Sequence, residues 1–400
     1  MCRHSAHGFC HHRTRRHPLR EREAILSCPE PPDDSDKIAV PRVPSSAGPL
    51  RVGLLCRDFA QGGISRLMSA IVPHLSRMGA EVAWLVAASD YLADSHAASV
   101  IAEAFPQAAI HLGDWRGGML PKADVVLSSN MASDTRLPLG PLAMLPTVVV
   151  VHGCEQLSHR CLRESARMSD VRRVVYNSEA TRRAMLGFGW TADVPEEVIP
   201  VPFSWSMVPS GAVPDRRPSI LYLGRLAPEK GLVEAAAVLR EGLWQQPVDL
   251  DIVGDGWDSD RIRGEVESAL AETLVRPVWH GWRDDPSPFL AEAGSLLIWS
   301  PAEGGPLILP EAIAAGCPVV SRPVGLAPQM AEQGCPGLAV AATPSLAIGA
   351  LQARLSSLRP TVPASLAGVR WLCGHGYDPV SVAASYATVM RSARDQQPRA

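Results

Sequence analysis

Residues 300–320 read SPAEGGPLILPEAIAAGCPVV and contain two carboxylates, Glu303 and Glu311, with seven residues between them. An apolar run precedes this stretch, and a β-branched run begins at Val319. A Gly-Gly-Pro turn follows Glu303, a short helix-like run follows the turn, and Gly316 occupies the position of a helix C-cap. The pattern predicts a strand–loop–helix–strand unit, which is a building block of α/β sheets.

This predicted unit carries two kinds of binding group. Free backbone N–H groups and the positive end of the helix, near Gly304–Leu307, suit a phosphate. Glu303 lies at the loop mouth, and Glu311 is expected about two turns further on, where each can accept hydrogen bonds from hydroxyl groups. A nucleotide-sugar offers phosphate and hydroxyls together. The plain alternative is a helix with two solvated glutamates, and the upstream sequence disfavours it.

The upstream segment Ser219–Gly231 reads SILYLGRLAPEKG and supplies two cations. Its apolar residues predict a buried parallel strand, which Gly224 ends with a sharp turn. Arg225 and Lys230 then project from one short connection. Arg binds phosphate through two parallel hydrogen bonds, whereas Lys acts as a point charge, so the pair predicts a diphosphate clamp. Either residue alone would be interpreted as a surface charge beside a turn.

The order of these motifs resembles the C-terminal half of glycosyltransferase family 4, whose members have the GT-B fold. The matching segments are GRLAPEKG, VGDG (253–256), HGWRDD (280–285) and EGGPLILPEAIAAGCPVV. Weaker matches to the N-terminal half are RVGLLCRDFAQGGISRLMSAIVPHLSRMGAEV (51–82), VVVVHGCEQL (148–157), VVYNSEATRRAML (174–186) and VIPVP (198–202). The resemblance covers about residues 50 to 390 and is most specific from Ser219 to Val320.

The resemblance implies a retaining, metal-independent glycosyltransferase with a nucleotide-diphosphate sugar as its donor substrate and no other cofactor. A UDP-sugar is the first candidate, although the base and the sugar stay open. The implied catalytic residues are Glu303, Arg225, Lys230 and His152. The implied donor-binding residues are Gly62, Gly63, Arg225, Lys230, Gly254, Trp282, Glu303, Gly304, Gly305, Pro306, Leu307 and Glu311, and no metal ligand is expected.

Individual roles follow from the same resemblance. Glu311 would accept hydrogen bonds from the ribose hydroxyls, and Glu303 would contact the transferred sugar. Arg225 and Lys230 would neutralise the charge that grows on the leaving diphosphate, the task of a divalent metal in other enzymes. His152 follows four consecutive valines at the end of a predicted strand, where it would meet the hexose.

The chain departs from the family pattern in two places. Pro306 stands where many relatives have a residue with a backbone N–H, so it cannot donate to phosphate. The later Gly-Gly-x-Pro-Glu segment appears here as GLAPQ, residues 325–329, without its carboxylate. We therefore expect the donor geometry to differ locally, with the main clamp retained.

Alternating strand and helix patterns predict an α/β protein of two doubly wound, Rossmann-like domains facing across a cleft. The length of 400 residues also favours two domains. We assign a disordered tail to 1–48, an acceptor domain to 49–203, a nucleotide-sugar donor domain to 204–376 and a final helix returning to the N-terminal domain to 377–400. A Pro-rich stretch around 200–218 is interpreted as the linker.

Composition narrows the partners and the compartment. A net charge of −3 argues against nucleic acid as a general partner. The nine cysteines show no paired framework, which indicates a reducing, cytoplasmic compartment. No apolar stretch approaches the roughly 20 residues of a membrane span, and no signal-peptide core follows the basic start.

Residues 1–22 hold six Arg and five His and show no hydrophobic period. The cysteines and histidines there could be called a metal site, but their spacing does not match a zinc finger, so a disordered tail is the preferred interpretation. A misplaced start codon is the other explanation.

A second basic segment, residues 158–185, holds seven Arg against three acids. It could meet an anionic acceptor or the surface of a membrane as a peripheral contact. A solvated helix face is the preferred interpretation.

Two other classes of protein remain open at this point. A GT-B-fold sugar-nucleotide epimerase would turn over its donor without an acceptor, and a non-catalytic nucleotide-sugar-binding protein would not turn it over at all. The acceptor itself, whether glycan, lipid-linked or small-molecule, cannot be identified from the sequence. An inverting mechanism would need a protein base, for which Asp58, His152 and Glu155 are the candidates.

Overall fold

The computed structural model describes residues 48–59, 62–89, 94–113, 115–129, 140–191, 193–209, 215–358 and 362–396. The predicted tail, residues 1–48, lies outside these ranges except for its last residue. Residues 46–400 form one compact unit that contains two parallel sheets. The predicted fold class is therefore confirmed.

The first sheet has seven strands in the order β3-β2-β1-β4-β5-β6-β7, all parallel. Its strands are β1 Leu50–Asp58, β2 Ala80–Ser89, β3 Ala109–Leu112, β4 Val125–Ser129, β5 Pro146–Val151, β6 Asp170–Tyr176 and β7 Glu196–Val198. Its helices are α1 Gly63–Leu75, α2 Ser95–Ala104, α3 Gln156–Met168 and α4 Glu179–Gly187. Strands β4 and β5 are buried on both faces, which is why they appear as continuous apolar runs.

The second sheet has six parallel strands in the order β10-β9-β8-β11-β12-β13. Its strands are β8 Arg217–Leu223, β9 Val248–Val253, β10 Val275–Gly281, β11 Ala293–Ile298, β12 Val319–Ser321 and β13 Leu338–Val340. Its helices are α5 Leu232–Arg240, α6 Ser259–Leu270, α7 Ser287–Glu292, α8 Ile308–Ala314, α9 Ala327–Glu332, α10 Pro344–Ser356 and α11 Val362–Gly374.

The last helix, α12, spans Pro379–Asp395 and packs on the first sheet rather than the second. Asp378 caps it by accepting hydrogen bonds from the N–H groups of Val380 and Ser381, and Pro379 provides a favourable first position. Tyr386 and Met390, both fully buried, join the core of the N-terminal half. The prediction that the final helix returns to that half is confirmed.

The described residues of the stretch interpreted as a linker include some that are buried in a core. Phe203 and Met207 are buried in the core of the second half, and the N–H of Phe203 donates to the carbonyl of Tyr377 at 3.0 Å. Strand β8 already begins at Arg217. The prolines suppressed the periodicity on which sequence reasoning depends, although apolar residues between them still pack.

Candidate functional site

Several of the predicted site residues follow strands that flank the points where each strand order reverses. In the first sheet β1 lies beside β4, and in the second sheet β8 lies beside β11, with connections leaving in opposite directions. Gly62 and Gly63 follow β1, Lys230 follows β8, and Glu303 follows β11. Ligands of open α/β sheets bind at such crevices outside the carboxyl ends of the strands.

Lys230 and Glu303 lie in direct contact. The ammonium nitrogen of Lys230 is 2.9 Å and 3.0 Å from the two carboxylate oxygens of Glu303. The Ser300 hydroxyl donates to the Oε1 atom of Glu303 at 2.9 Å. Both charged side chains are mostly buried but keep some exposure, 28% for Lys230 and 13% for Glu303. The pair is thus ordered in the free protein and still reachable by a ligand.

Gly231 explains how the loop after β8 reaches this position. Its φ of 68° is left-handed, and an added Cβ would lie 2.6 Å from the carbonyl oxygen of Trp299. Both the backbone conformation and the lack of space therefore require glycine. The short 3-10 turn Pro228–Lys230 just before it presents Lys230 to the end of β11.

Arg225 is not brought onto Glu303. Its guanidinium donates to Glu229 at 3.2 Å, and both side chains are more than half exposed. Exposed ion pairs of this kind are worth little, so a diphosphate could displace Glu229 at small cost. Arg225 and Lys230 share a loop, as predicted, but have different partners in the free protein.

A row of glycines forms the edge of the donor half. The N–H of Gly254 donates to the carbonyl of Gly281 at 2.9 Å, and that of Gly224 donates to Val253 at 3.1 Å. A Cβ on Gly254 would fall 1.9 Å from the carbonyl oxygen of Gly224. Trp282 follows this row, is 44% exposed, and donates its indole N–H to Asp284 at 2.9 Å. Its ring is available to a planar ligand.

The loop after Glu303 rests on the N-terminal half. A Cβ on Gly304 would lie 1.9 Å from the carbonyl oxygen of His152, so the two backbones touch. The Ser178 hydroxyl donates to the Gly304 carbonyl at 2.5 Å, and the Cys154 thiol donates to the Glu303 carbonyl at 3.1 Å. Sequence reasoning missed Ser178 and Cys154, because each lies in a segment with a local explanation: Ser178 also caps α4.

The rest of this loop faces the Gly-Gly turn of the N-terminal half. A Cβ on Gly63 would meet a methyl group of Leu307 at 4.0 Å, so the two predicted donor loops lie opposite each other. Pro306 is buried against Gly325, where a Cβ would approach the proline ring to 2.6 Å. The altered 325–329 segment and Pro306 are therefore neighbours, and the two departures from the family pattern form one local change.

His152 is held by two protein side chains. The amide nitrogen of Asn177 lies 3.1 Å from its Nδ1 atom, and the Ser129 hydroxyl lies 3.1 Å from its Nε2 atom. Because the amide nitrogen only donates, Nδ1 accepts and Nε2 carries the proton, as the side chains are assigned. Desolvation lowers the pKa of His152 to about 4. The ring is neutral at physiological pH, and both of its nitrogens are engaged.

Glu311 lies in the first turn of α8 and is 2% exposed. The sequence predicts it about two turns beyond Glu303, and the structure separates the two carboxylates by a loop and one helical turn, because the glycines and Pro306 keep the chain non-helical until Ile308. Arg66 of α1 donates to its Oε1 atom from the N-terminal half. The Oε2 atom is buried and has no hydrogen-bond partner within the described ranges.

The three acids of the basic segment 158–185 pair with four of its seven arginines, so the segment keeps an excess of positive charge. Arg160 pairs with Glu164 at 3.4 Å, and both Arg182 and Arg183 contact Glu179. These contacts agree with the solvated helix face that the sequence favoured. Within the described part of the chain, no helix is long and apolar enough to cross a membrane.

Cysteines occur in both halves of the molecule. Four of the six described cysteines are buried: Cys56, Cys161, Cys317 and Cys335. No three His, Cys, Asp or Glu side chains of the described residues are grouped so that they could hold a metal ion.

Comparison with known proteins identifies the class of the C-terminal half. Residues 217–356 match the family model described as Glycosyl transferases group 1, so this half is a glycosyltransferase domain. The matched range contains the Lys230–Glu303 pair, Glu311 and the glycine row. No curated protein matches the chain.

Solved structures share the whole two-sheet architecture. HepE from Anabaena, in complex with UDP and glucose, is 19% identical with a TM-score of 0.65, over 86% of this chain and 100% of HepE. WaaB, a lipopolysaccharide outer core galactosyltransferase, is 16% identical with a TM-score of 0.57, over 86% and 100%. Sucrose-phosphate synthase from Thermosynechococcus elongatus is 14% identical with a TM-score of 0.60, over 86% and 98%. At these identities the likeness establishes the GT-B fold.

Proposed function

We propose that this chain is a retaining, metal-independent glycosyltransferase of family 4 that transfers a sugar from a nucleotide-diphosphate sugar to an acceptor hydroxyl. The observation that carries the proposal is the contact between Lys230 and Glu303, with Glu311 buried in the next helix. This arrangement lies inside the range that matches the glycosyltransferase model. HepE, which shares the fold, binds UDP and glucose, and this supports a UDP-sugar as the donor.

The donor would bind across the edge of the second sheet. Glu311 has one buried oxygen without a partner, which suits a ribose hydroxyl as donor. Trp282 lies exposed beyond the glycine row, where a base could stack on it. The diphosphate would then lie near Lys230 and Arg225, opposite Gly62 and Gly63. Negative charge that develops on the leaving diphosphate would meet two cations, in the role that a divalent metal has elsewhere.

Glu303 would serve the transferred sugar. In the free protein Lys230 neutralises it, and the two part as the ammonium group turns to the diphosphate. The carboxylate then faces the positive charge that grows at the anomeric carbon as the bond to phosphate breaks. Its small remaining exposure lets a sugar reach it.

The acceptor would enter from the N-terminal half. Because both ring nitrogens of His152 are engaged and its pKa is low, it is poorly placed to act as a base. Retention with front-face attack needs no such base, since the departing phosphate oxygen takes the acceptor's proton. The acceptor is a glycan, a lipid-linked molecule or a small molecule. A cytoplasmic location is part of the proposal and is supported by the free thiols of Cys154, Cys317 and Cys335.

The test measures the turnover of a panel of nucleotide-sugars, with and without added acceptors. Release of the nucleoside diphosphate is the readout. Release that is stimulated by an acceptor and unaffected by a chelator supports the proposal. Epimerised donor without an acceptor identifies an epimerase. Binding with neither hydrolysis nor transfer identifies a non-catalytic binding protein.

A further inference from the structure

Glu311 is held from the opposite half of the molecule. Arg66, in the first turn of α1, donates a hydrogen bond to its Oε1 atom, and the two residues are 245 positions apart in sequence. Glu311 is 2% exposed, whereas the side chain of Arg66 keeps 39% of its surface exposed. The sequence motifs single out Glu311 and the neighbouring Gly62 and Gly63, but not Arg66.

The two carboxylate oxygens of Glu311 differ. Oε1 has Arg66 as its partner, while Oε2 is buried and accepts no hydrogen bond from the described residues. A buried acceptor without a partner is costly, so such an atom in a folded protein calls for a ligand or another explanation. The geometry leaves one oxygen free for a donor group and commits the other to a cation.

Burial and Arg66 act on Glu311 in opposite directions. Desolvation raises the pKa of Glu311 above its ordinary value, and the charge and hydrogen bond of Arg66 offset only part of this rise. Two other cations belong to neighbouring segments. Lys230 pairs with Glu303, and Arg370 lies on α11, which packs on α8, but its side chain is exposed to solvent. The 3-10 turn Trp205–Met207, which also packs on α8, carries no titratable group. Arg66 is therefore the group that favours the ionised carboxylate.

We propose that Arg66 is a positioning residue of the donor site, which holds one oxygen of Glu311 and leaves the other oxygen to accept a hydrogen bond from a ribose hydroxyl. The inference rests on the proposed function, because it assumes that the ribose binds Glu311. It adds that the nucleoside site is complete only when the two halves are together, since its carboxylate is set by a cation from the first helix.

The experiment measures the affinity of uridine and of UDP by calorimetry between pH 6 and pH 8 for the full chain and four variants. These are Arg66→Met, Arg66→Lys, Glu311→Gln and, as a matched control in the 3-10 turn Ser76–Met78 that follows the same helix, Arg77→Met. Uridine carries no phosphate, so its affinity reports on the ribose and base alone. Thermal unfolding of each variant shows that it is folded.

In Arg66→Met we expect uridine to bind at least about tenfold more weakly at pH 6, as for loss of one hydrogen bond to a charged group. The loss should shrink as pH rises, because Glu311, whose pKa is then higher still, ionises again. Arg66→Lys should restore most of the affinity, and Arg77→Met should match the wild type.

The outcomes separate the two claims. Unchanged uridine affinity in Arg66→Met overturns the inference, and so does an equal loss at every pH that Lys does not restore, which marks a purely structural role. If instead Glu311→Gln binds uridine as well as the wild type, the ribose assignment in the proposed function fails. Weakened binding in Glu311→Gln with unaffected Arg66 variants leaves the proposed function standing and removes the inference.

Discussion

The ammonium group of Lys230 lies within 3.0 Å of both carboxylate oxygens of Glu303, although 73 positions separate the residues. Two loops at the carboxyl ends of neighbouring strands, β8 and β11, bring them together. The cation that should meet the leaving diphosphate and the carboxylate that should meet the sugar are therefore paired before any donor arrives. Under the proposed function, donor binding would replace this pairing by a contact of Lys230 with the diphosphate and a contact of Glu303 with the sugar.

Replacing Lys230 tests its electrostatic role. Lys230→Ala should lower turnover of the nucleotide-sugar about 100-fold or more, by analogy with the loss of one preorganised electrostatic stabiliser. Lys122→Ala, an exposed lysine near the amino end of β4, is the matched control and should keep wild-type turnover. Steady-state rates at saturating donor provide the comparison. Near-wild-type turnover in Lys230→Ala would refute the proposed role of Lys230 in a diphosphate clamp.

Substitution of Glu303 and substitution of Glu311 should have different effects on ligand binding and on the catalytic rate. Glu311→Ala should mainly weaken the binding of the nucleoside diphosphate, whereas Glu303→Ala should mainly reduce the chemical step. Calorimetry with UDP alone and turnover at saturating donor measure the two effects. Loss of UDP affinity in Glu303→Ala, with full affinity in Glu311→Ala, would reverse the assigned roles.

The contact of Gly304 with His152 should tolerate no side chain. Gly304→Ala puts a Cβ 1.9 Å from a backbone oxygen, so the loop must move away from the N-terminal half. We expect a loss of about 1–3 kcal/mol in the free energy of unfolding, as for overpacking, together with reduced turnover. Denaturant titration and kinetics measure both.

Two other glycines serve as controls for that substitution. Gly305→Ala would meet side-chain atoms of Asn177 and Val201 at 3.0 Å and 3.2 Å, so it should cost less. Gly264 lies inside α6 with no atom within 4 Å of an added Cβ, and Gly264→Ala should stabilise the protein by about 0.5–1 kcal/mol. A Gly304→Ala protein as stable and active as Gly305→Ala would contradict the close backbone contact.

His152 should make folding sensitive to mild acid. Its pKa of about 4 in the folded chain lies below the usual 6.5, so in mild acid the unfolded state binds a proton at this ring more readily than the folded state does. The stability that the neutral ring contributes is therefore fully present above pH 6.5 and is lost as pH falls toward 4. Between pH 7.5 and pH 5 it should amount to about 2 kcal/mol of the free energy of unfolding.

Denaturant titrations of the wild type and His152→Gln at the two pH values check this. Whatever the stability of the variant at pH 7.5, its loss of unfolding free energy between pH 7.5 and pH 5 should be smaller than that of the wild type by the stated amount. An equal loss in both proteins would show that His152 is not held neutral by the fold.

Much of the fold follows from local sequence patterns. The runs at Val125–Ser129 and Pro146–Val151 indicate buried parallel strands, and Asp378 with Pro379 marks the start of the last helix. Gly316, with φ of 71°, ends α8 as the sequence predicts. Such features are legible because the pattern, the cap and the turn each lie within a few residues.

The contacts that define the site are harder to predict from the sequence. Arg66 meets Glu311, and Ser178 meets Gly304, only because the two halves fold against each other. No local pattern encodes a partner more than a hundred positions away. The short α8, by contrast, lies where the sequence places it, between the Gly-Gly-Pro turn and Gly316.

The stereochemistry of donor hydrolysis tests the central claim most directly and needs no known acceptor. UDP-glucose is an α-glycoside, and proton NMR can follow the first glucose released by the wild-type chain before its anomers equilibrate. For a retaining transferase we expect UDP release with α-glucose formed first. Both signals should be strongly reduced in Lys230→Ala but not in Lys122→Ala. If β-glucose forms first, the reaction inverts and retention is wrong. If UDP binds tightly while every nucleotide-sugar of the panel stays intact with and without acceptors, the chain is not a glycosyltransferase.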